Sequence, residues 1–251
     1  MVMVCFSAII KRRPPWARGS RASRYKCQRA NTVTTDVEER LRQVRAVRAE
    51  LLEEGPGQGR PFEPDFRRVA LPAPDCDILR DALVADGARV VIEVGLAYGG
   101  SALAIGEALC STAGAEAAHV IIDPYQARAF HNVGWHAVQR AGLADQTTLV
   151  TDRSSLALAR LATEGFTADA AFVDGSHRFH EVFVDLYFLR KLVRPGGLII
   201  LDDAAWPSVA TALRYYDRNL GWRPVELPGR LTARRLPRDP VEPAFTDFTP
   251  F

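Results

Sequence analysis

One segment decides the predicted fold of this chain, and it reads Val90-Val91-Ile92-Glu93-Val94-Gly95-Leu96-Ala97-Tyr98-Gly99-Gly100-Ser101. Four β-favouring residues interrupted by one acid precede a glycine-rich bend and an apolar run. This pattern predicts a buried strand that turns sharply into a helix. Glycines permit the tight turn and the close approach of a ligand, and the unpaired N–H groups of the helix start attract an anionic group. We therefore expect a small-molecule site at this turn.

The spacing of the glycines distinguishes between ligands. A dinucleotide fingerprint reads G-x-G-x-x-G. Here Gly95 and Gly99 stand four positions apart, with Glu93 before them and Ser101 after them. A nicotinamide oxidoreductase of the same layered fold would need the tighter spacing, so it is the weaker alternative.

Composition limits the classes of function. The 251 residues are 47% hydrophobic and 25% charged, which suits one sizeable core with extensions. The net charge is +2, but residues 1–30 contain eight basic side chains and no acid, and the remainder carries 24 basic against 30 acidic side chains. This acidic body argues against a nucleic-acid-binding core. The four cysteines lack C-x-x-C spacing, so we expect a reducing, cytoplasmic setting without structural zinc, and no apolar run approaches the roughly 20 residues of a membrane span.

Residues 1–32 form a basic segment unlike the rest of the chain. Its apolar start precedes the basic cluster, which is the wrong order for a secretory signal. An organellar transit segment, or a basic tail that contacts nucleic acid or anionic lipid, is an alternative. We expect a disordered tail, or upstream sequence included by a wrong start assignment, with the functional chain beginning near Val33.

Residues 33–74 are predicted to form a helical extension followed by a loop. Residues 35–38 read as a capping box, and apolar residues then recur on one helix face up to Gly55. We expect this helix to pack on the domain, with a lid or a dimer seam as the alternatives. Frequent glycine and proline up to residue 74 predict a loop.

Strands and helices alternate over residues 75–236. The predicted strands are residues 90–94, 119–122, 147–150, 170–173 and 198–201. Near-continuous apolar strands between amphipathic helices indicate a doubly wound α/β sheet covered on both faces. An antiparallel hairpin within residues 223–236 is expected to close the domain. Residues 237–251 are expected to form an extended tail rich in proline and phenylalanine, which packs on a second copy or at the substrate mouth.

Carboxylates follow the predicted strands. Asp123, Asp174 and the pair Asp202 and Asp203 end the second, fourth and fifth strands, and Asp152 lies just past the third. In doubly wound sheets, ligands bind outside the carboxyl ends of the strands. With strands one, four and five adjacent, Asp174, Asp202 and Asp203 would converge. Three such carboxylates repel one another unless a cation or protons intervene, and Mg²⁺ is the natural occupant.

Two motifs turn this pattern into a family resemblance. The runs Phe172-Val173-Asp174-Gly175-Ser176-His177 and Pro195-Gly196-Gly197-Leu198-Ile199-Ile200-Leu201-Asp202-Asp203 resemble the D-G-x-H and G-G-x-x-x-x-D-D pattern of metal-dependent O-methyltransferases. The likeness is greatest to the branch named for cephalosporin hydroxylase and macrocin O-methyltransferase, and the glycine turn resembles the first motif of class I S-adenosylmethionine-dependent methyltransferases. The resemblance covers about residues 75–236. It implies a seven-stranded Rossmann-like sheet, mostly parallel with an antiparallel last strand.

The resemblance also implies roles for individual residues. The implied metal ligands are Asp174, Asp202 and Asp203, and the implied general base is His177, with His180 as a rival one turn later. The implied cofactor contacts are Glu93, Gly95, Gly99 and Ser101 for the methionine end of S-adenosylmethionine, Asp123 for the ribose, and Asp152 or Ser154 for the adenine. Asp203 departs from the catechol-type relatives, which carry Asn at this position.

The expected activity is metal-dependent methyl transfer to a hydroxyl group of a small molecule such as a sugar or other natural product. A vicinal diol or catechol would chelate the ion best, so we expect a monomethylated product. The alternatives are a metal-independent methyltransferase and a noncatalytic S-adenosylmethionine-binding or RNA-associated protein. Each residue also has a structural interpretation: the strand-end acids would cap helices, and residues 174–177 would form a simple turn. Trp206 and Pro207 are expected to begin a helix, and the oligomeric state stays open.

Overall fold

The computed structural model describes residues 26–56, 66–113 and 116–251, with side chains from Asp36 onward. The predicted tail therefore lies largely outside the described residues. Val37–Phe251 form one compact unit. The first helix, α1, spans Lys26–Glu54. It begins before the capping box predicted at residues 35–38, because residues 26–34 contain no proline or glycine that would stop a helix.

The remaining elements alternate as predicted. The helices after α1 are α2 (Phe66–Val69), α3 (Ala73–Asp86), α4 (Gly100–Thr112), α5 (Val133–Arg140), α6 (Ser154–Thr163), α7 (Phe179–Leu192) and α8 (Pro207–Leu220). The strands are β1 (Val90–Val94), β2 (Ala118–Ile122), β3 (Thr147–Val150), β4 (Ala168–Val173), β5 (Val193–Leu201), β6 (Arg223–Val225) and β7 (Thr232–Arg235).

The seven strands form one sheet in the order β3-β2-β1-β4-β5-β7-β6. The first five are parallel, and β7 pairs antiparallel with both β5 and β6. Val94 aligns with Ile122 on one side and with Val173 on the other, and Val173 aligns with Leu201. The four central strands therefore end level, at the switch point where doubly wound sheets bind ligands. The predicted fold class is confirmed.

Strand β5 is longer than predicted. Helix α7 ends at Leu192 and β5 begins at Val193, so the Pro195-Gly196-Gly197 run lies inside the strand. The pairing with β4 shifts register in this region. A Cβ on Gly197 would lie 2.5 Å from the carbonyl oxygen of Asp169, so glycine is required where the bulged strand passes its neighbour.

Helix α1 packs on the domain, as expected. Its buried residues Val44, Val47 and Leu51 join a cluster with residues of α4 and α5, while α3 and α4 cover β1, β4 and β5. Buried Glu107 of α4 accepts a 2.6 Å hydrogen bond from Arg45 of α1. Among the helices of the described segments, none combines the length and apolar character that a membrane span requires.

The final residues return to α8. Asn219 exchanges two hydrogen bonds with the backbone of Thr249, at 3.0 and 2.8 Å. Phe251 contacts the ring of Tyr215 edge-on. Residues 237–251 thus lie outside the helices and strands and contact α8 of the same chain. The boundaries expected at residues 33, 75 and 237 stay predictions.

Candidate active site

The glycine turn between β1 and α4 has the left-handed backbone that its sequence implies. Gly95 and Gly99 have φ angles of 96° and 92°. Gly95 packs against the backbone of Asp174 at the end of β4, and Gly99 packs against Gly134 at the start of α5. Helix α4 begins without a side-chain cap, which leaves the N–H groups of its first turn available to an anionic group.

Glu93 points into the protein beneath this turn. It is fully buried, and its Oε1 accepts a 2.5 Å hydrogen bond from the hydroxyl of Ser101. Its Oε2 lies 2.9 Å from Nε2 of His119 in β2. Glu93 therefore ties β1 to β2 and to the first turn of α4. The structure brings Glu93 and Ser101 together, as the predicted site requires.

Asp123 braces the glycine turn from the end of β2. Its Oδ2 accepts hydrogen bonds from the backbone N–H groups of Leu96 (3.1 Å) and Ala97 (3.0 Å) and from the Gln126 amide (2.9 Å). Its Oδ1 accepts one bond, from the N–H of Tyr125 at 2.7 Å. A carboxylate offers about four lone-pair sites, so Oδ1 keeps capacity for one further donor.

The two residues expected near the adenine lie apart from this cluster. Asp152 follows β3 at the surface and forms an ion pair with Arg160 of α6. Ser154 begins α6 and donates to buried Asp185 of α7. The structure therefore gives both side chains protein partners.

Asp174, His177 and Asp203 form one cluster at the ends of β4 and β5. Nε2 of His177 lies 2.8 Å from Oδ2 of Asp203 and 3.8 Å from Oδ1 of Asp174. The hydroxyl of Ser208 donates to the His177 carbonyl at 2.6 Å, and the half-exposed indole of Trp206 stacks on the imidazole with 5.2 Å between ring centroids. The histidine is thus held in place from two sides. Pro207 begins α8, as expected.

The electrostatics of this cluster reflect its three close titratable groups. Burial raises the pKa of Asp174 to about 6, against the lowering effect of His177. Asp174, followed by Asp203, raises the pKa of His177. Without another cation, a protonated His177 would offset one of the two carboxylate charges.

Asp202 has a different partner from the one expected. Its Oδ1 accepts the N–H of Asp203 at 2.7 Å, and its Oδ2 pairs with the guanidinium of Arg230, between β6 and β7. The side chain is 1% exposed. The structure therefore turns Asp202 towards the hairpin, whereas Asp174 and Asp203 meet at His177.

Comparisons with known proteins identify the domain that carries these residues. Residues 92–204 match a family model described as a methyltransferase domain, and this range contains every predicted site residue. The chain therefore contains a methyltransferase domain of the class I, S-adenosylmethionine-dependent type. A comparison with curated proteins gives no match.

Three solved structures share the fold of this methyltransferase. Cofactor-bound Rv0187 from MTB is 21% identical, with a TM-score of 0.58 over 87% of this chain and 100% of its own. The O-methyltransferase TomG from Streptomyces achromogenes, involved in tomaymycin synthesis and solved with S-adenosylmethionine, is 19% identical, with a TM-score of 0.57 over 85% and 100%. An O-methyltransferase from Bacillus cereus, solved with S-adenosylhomocysteine, is 18% identical, with a TM-score of 0.54 over 78% and 90%.

The donor set of the methyltransferase fits a divalent cation. Asp174, His177 and Asp203 each offer one ligand atom, and these atoms lie within 4.8 Å of one another. Carboxylate oxygens suit Mg²⁺, which is commonly held by one or two carboxylates and completes its shell with water and substrate. The carboxylate oxygens also suit Mn²⁺, and an added imidazole nitrogen suits transition metals such as Fe, Ni, Cu and Zn.

Sequence reasoning missed three residues of the methyltransferase site. His119 carries a detectable signal, since it is a polar residue inside an otherwise apolar strand. Gln126 and Arg230 carry none, because their partners Asp123 and Asp202 are set by how a loop and a hairpin fold back.

Proposed function

We propose that this methyltransferase transfers the methyl group of S-adenosylmethionine to a hydroxyl oxygen of a small molecule, with a divalent cation at Asp174 and Asp203. The observation that carries the proposal is the cluster of two carboxylates and one histidine beside the glycine turn. Gly95 packs on the backbone of Asp174, so a cofactor in the turn lies next to the cation site.

The cofactor site is assigned to the ends of β1 to β3. The methionine carboxylate suits Gly95, Gly99 and the uncapped start of α4, where N–H groups are free to donate. Oδ1 of Asp123 accepts a hydrogen bond from one ribose hydroxyl. Oδ2 accepts three hydrogen bonds from the protein and so holds the conformation of the glycine turn. Asp152 is the candidate neighbour of the adenine, because Ser154 is already bonded to buried Asp185.

The chemistry follows from these positions. Methyl transfer from a sulfonium is an in-line displacement, so the acceptor oxygen must be aligned with the methyl group and lose its proton. When bound, a divalent cation lowers the hydroxyl pKa and fixes its orientation. His177 is the proposed general base, since its Nε2 faces the carboxylate pair. Stacking on Trp206 and the Ser208 hydrogen bond keep its ring in position.

The proposed acceptor is a vicinal diol or a catechol. Two neighbouring oxygens chelate one cation, and the proposed two-carboxylate site leaves positions open for both. TomG, a structural neighbour, is involved in tomaymycin synthesis. A small natural product is accordingly the proposed acceptor class for this chain.

A metal-independent methyltransferase is the second candidate. The observation in its favour is that every carboxylate here has a protein partner: Asp202 pairs with Arg230, and Asp174 and Asp203 lie next to His177. A protonated His177 would offset one of the two carboxylate charges of Asp174 and Asp203 without an ion, but it would be unable to accept the proton of the acceptor hydroxyl.

Calorimetric titration decides between the two candidates. S-adenosylmethionine and S-adenosylhomocysteine are titrated into the full chain with and without Mg²⁺, followed by turnover of catechol and of its analogue lacking one hydroxyl. We expect cofactor binding, a separate Mg²⁺ signal and turnover of the diol only. Equal turnover of both acceptors would reject chelation, and absence of cofactor binding would reject the proposed function altogether.

A further inference from the structure

We infer that Arg230 is the permanent cationic partner of Asp202, and that a divalent cation in this chain is held by Asp174 and Asp203 without a third carboxylate. The inference rests on the proposed function. It changes the ligand set that the family resemblance implies, because it removes Asp202 from the cation and assigns that residue to the hairpin between β6 and β7.

Both carboxylate oxygens of Asp202 already have a protein donor. Its side chain is 1% exposed, so water does not complete its bonding. Oδ1 accepts the Asp203 N–H at 2.7 Å and Oδ2 pairs with Arg230. A cation bound to Asp202 would therefore share an oxygen with the guanidinium of Arg230 or with the backbone N–H of Asp203.

Arg230 is anchored to α3. Its backbone N–H donates to Oδ1 of buried Asp75 in α3 at 3.3 Å, and its Nε lies 3.9 Å from Oδ2 of the same residue. The preceding Gly229 has a φ of 73°, and a Cβ there would lie 2.6 Å from the Asp75 carboxylate. The turn is thus seated closely on α3, which fixes the guanidinium over Asp202.

Electrostatics also favour keeping Arg230 as the partner of Asp202. The Asp202 side chain is 1% exposed and that of Arg230 is 45% exposed, so removing the guanidinium would leave a buried carboxylate uncompensated, which is destabilising. A divalent ion at Asp202 would either expel the guanidinium or lie beside it, and like charges at such distances repel. Asp174 and Asp203 face His177 instead of an arginine, so they remain the accessible oxygen donors.

The consequence concerns the acceptor. Mg²⁺ prefers six ligands in octahedral geometry and retains several exchangeable positions when only two carboxylates bind it. A two-carboxylate site leaves room for both oxygens of a diol together with water. A third carboxylate would take one of those positions and would add negative charge next to the departing proton.

The test is Mn²⁺ binding, measured by electron paramagnetic resonance and calorimetry on the full chain with S-adenosylhomocysteine present. We expect Asp203→Asn to weaken binding by about 10- to 100-fold or more, and Asp202→Asn to change it by less than about 3-fold. Arg230→Gln is expected to tighten binding by about 10-fold, because it frees Asp202. The double variant Arg230→Gln with Asp202→Asn should return to the wild-type Mn²⁺ affinity. A double-mutant cycle then gives the coupling between the two residues.

Arg230→Lys is the matched control, since it keeps the charge and should keep the wild-type Mn²⁺ affinity. Thermal unfolding of each variant checks that the fold is retained. If Asp202→Asn and the double variant both lose Mn²⁺ as completely as Asp203→Asn does, the inference is overturned. Absence of Mn²⁺ binding by both wild type and Arg230→Gln also overturns it. S-adenosylhomocysteine binding, measured in the same titrations, separately decides whether the methyltransferase site stands.

Discussion

A side-chain carbon placed on Gly95 would lie 2.1 Å from the carbonyl oxygen of Asp174. The backbones at the ends of β1 and β4 therefore touch at this point, where the N–H of Asp174 also donates to the Val94 carbonyl at 2.8 Å. The glycine turn and the carboxylate cluster are joined through the main chain. Any change that pushes residue 95 outward must displace the backbone that carries the Asp174 carboxylate.

Gly95→Ala is expected to damage both stability and cation binding. The φ of 96° is strained for alanine, and the contact with a backbone carbonyl cannot be relieved by a rotamer change. We expect a loss of about 2–4 kcal/mol in the free energy of unfolding, measured in urea. Mn²⁺ affinity should fall as well, because Asp174 moves.

Gly87→Ala is the matched control for this change. Gly87 also has a positive φ, 65°, but a Cβ there would meet nothing within 4 Å. It should cost about 1 kcal/mol from backbone strain and leave Mn²⁺ binding intact. Equal losses in the two variants would show that conformational strain alone, and not the Gly95–Asp174 contact, is responsible.

The sheet was predictable because its determinants are local. Apolar runs between turn residues predicted β1 to β5, and the alternation with helices predicted a parallel sheet in which β1, β4 and β5 are adjacent. The start of β5 was not predictable. The strand continues through Val193 and the Pro195-Gly196-Gly197 run because only glycine fits at position 197, beside the backbone of Asp169. That contact comes from β4, the neighbouring strand, and is not visible in the local sequence. The start of α1 was missed because residues 35–38, which read as a capping box, lie inside a helix that begins at Lys26. A capping sequence does not end a helix that has begun before it.

The site was predictable only where neighbouring strands fix it. Asp174 and Asp203 meet because β4 and β5 are adjacent and in register, which the topology already implied. The partner of Asp202 was hidden, since Arg230 reaches it only after the hairpin docks on α3. Gln126 supports Asp123 through a loop conformation that no pattern in the sequence indicates.

Asp185→Asn is expected to change the pH dependence of stability. Asp185 of α7 is buried, and burial raises its pKa to about 7. A carboxyl whose pKa is raised on folding stabilises the protein below its ordinary pKa, and that contribution is lost as the pH rises through the folded value. Wild-type stability should therefore decline between about pH 4 and pH 7 more steeply than that of Asp185→Asn. At about pH 8 the variant should be more stable by roughly 1–3 kcal/mol.

Asp81→Asn serves as the comparison for that series. Its side chain is 70% exposed, so its removal should leave the pH profile unchanged. The measurement is urea unfolding at a set of pH values. A parallel decline of wild type and Asp185→Asn would contradict the buried-carboxyl explanation.

His177→Gln tests the assignment of the general base. Loss of a positioned base costs about 10²- to 10⁴-fold in rate, so we expect kcat to fall by that factor with little change in S-adenosylmethionine affinity. The Asp174 and Asp203 carboxylates raise the pKa of His177, so in wild type the rate should increase with pH through a limb above the ordinary histidine value. Single-turnover rates across pH measure both effects.

His180→Gln separates the two candidate histidines. His180 lies at the exposed start of α7, one turn after His177. We expect this variant to retain the wild-type rate and the same pH limb. A large loss at His180 combined with a normal rate for His177→Gln would reverse the assignment.

Asp123→Asn tests whether the acid after β2 organises the cofactor turn. Asparagine would keep one acceptor oxygen but would direct an NH₂ group at donors, either the N–H groups of Leu96 and Ala97 or that of Tyr125. Leaving a buried donor unpaired costs about 1–3 kcal/mol. We therefore expect a loss of about 2–4 kcal/mol in unfolding free energy and at least about 10-fold weaker S-adenosylhomocysteine binding, measured by calorimetry.

The control for this change is Asp152→Asn. Asp152 lies half-exposed after β3 and pairs with Arg160 at the surface, where ion pairs contribute about 0–1 kcal/mol. This variant should leave the free energy of unfolding nearly unchanged and weaken S-adenosylhomocysteine binding only slightly. If Asp152→Asn weakened binding more than Asp123→Asn, the cofactor would depend on the surface acid after β3. The hydrogen bonds from Leu96, Ala97 and Gln126 to Asp123 would then serve the fold alone.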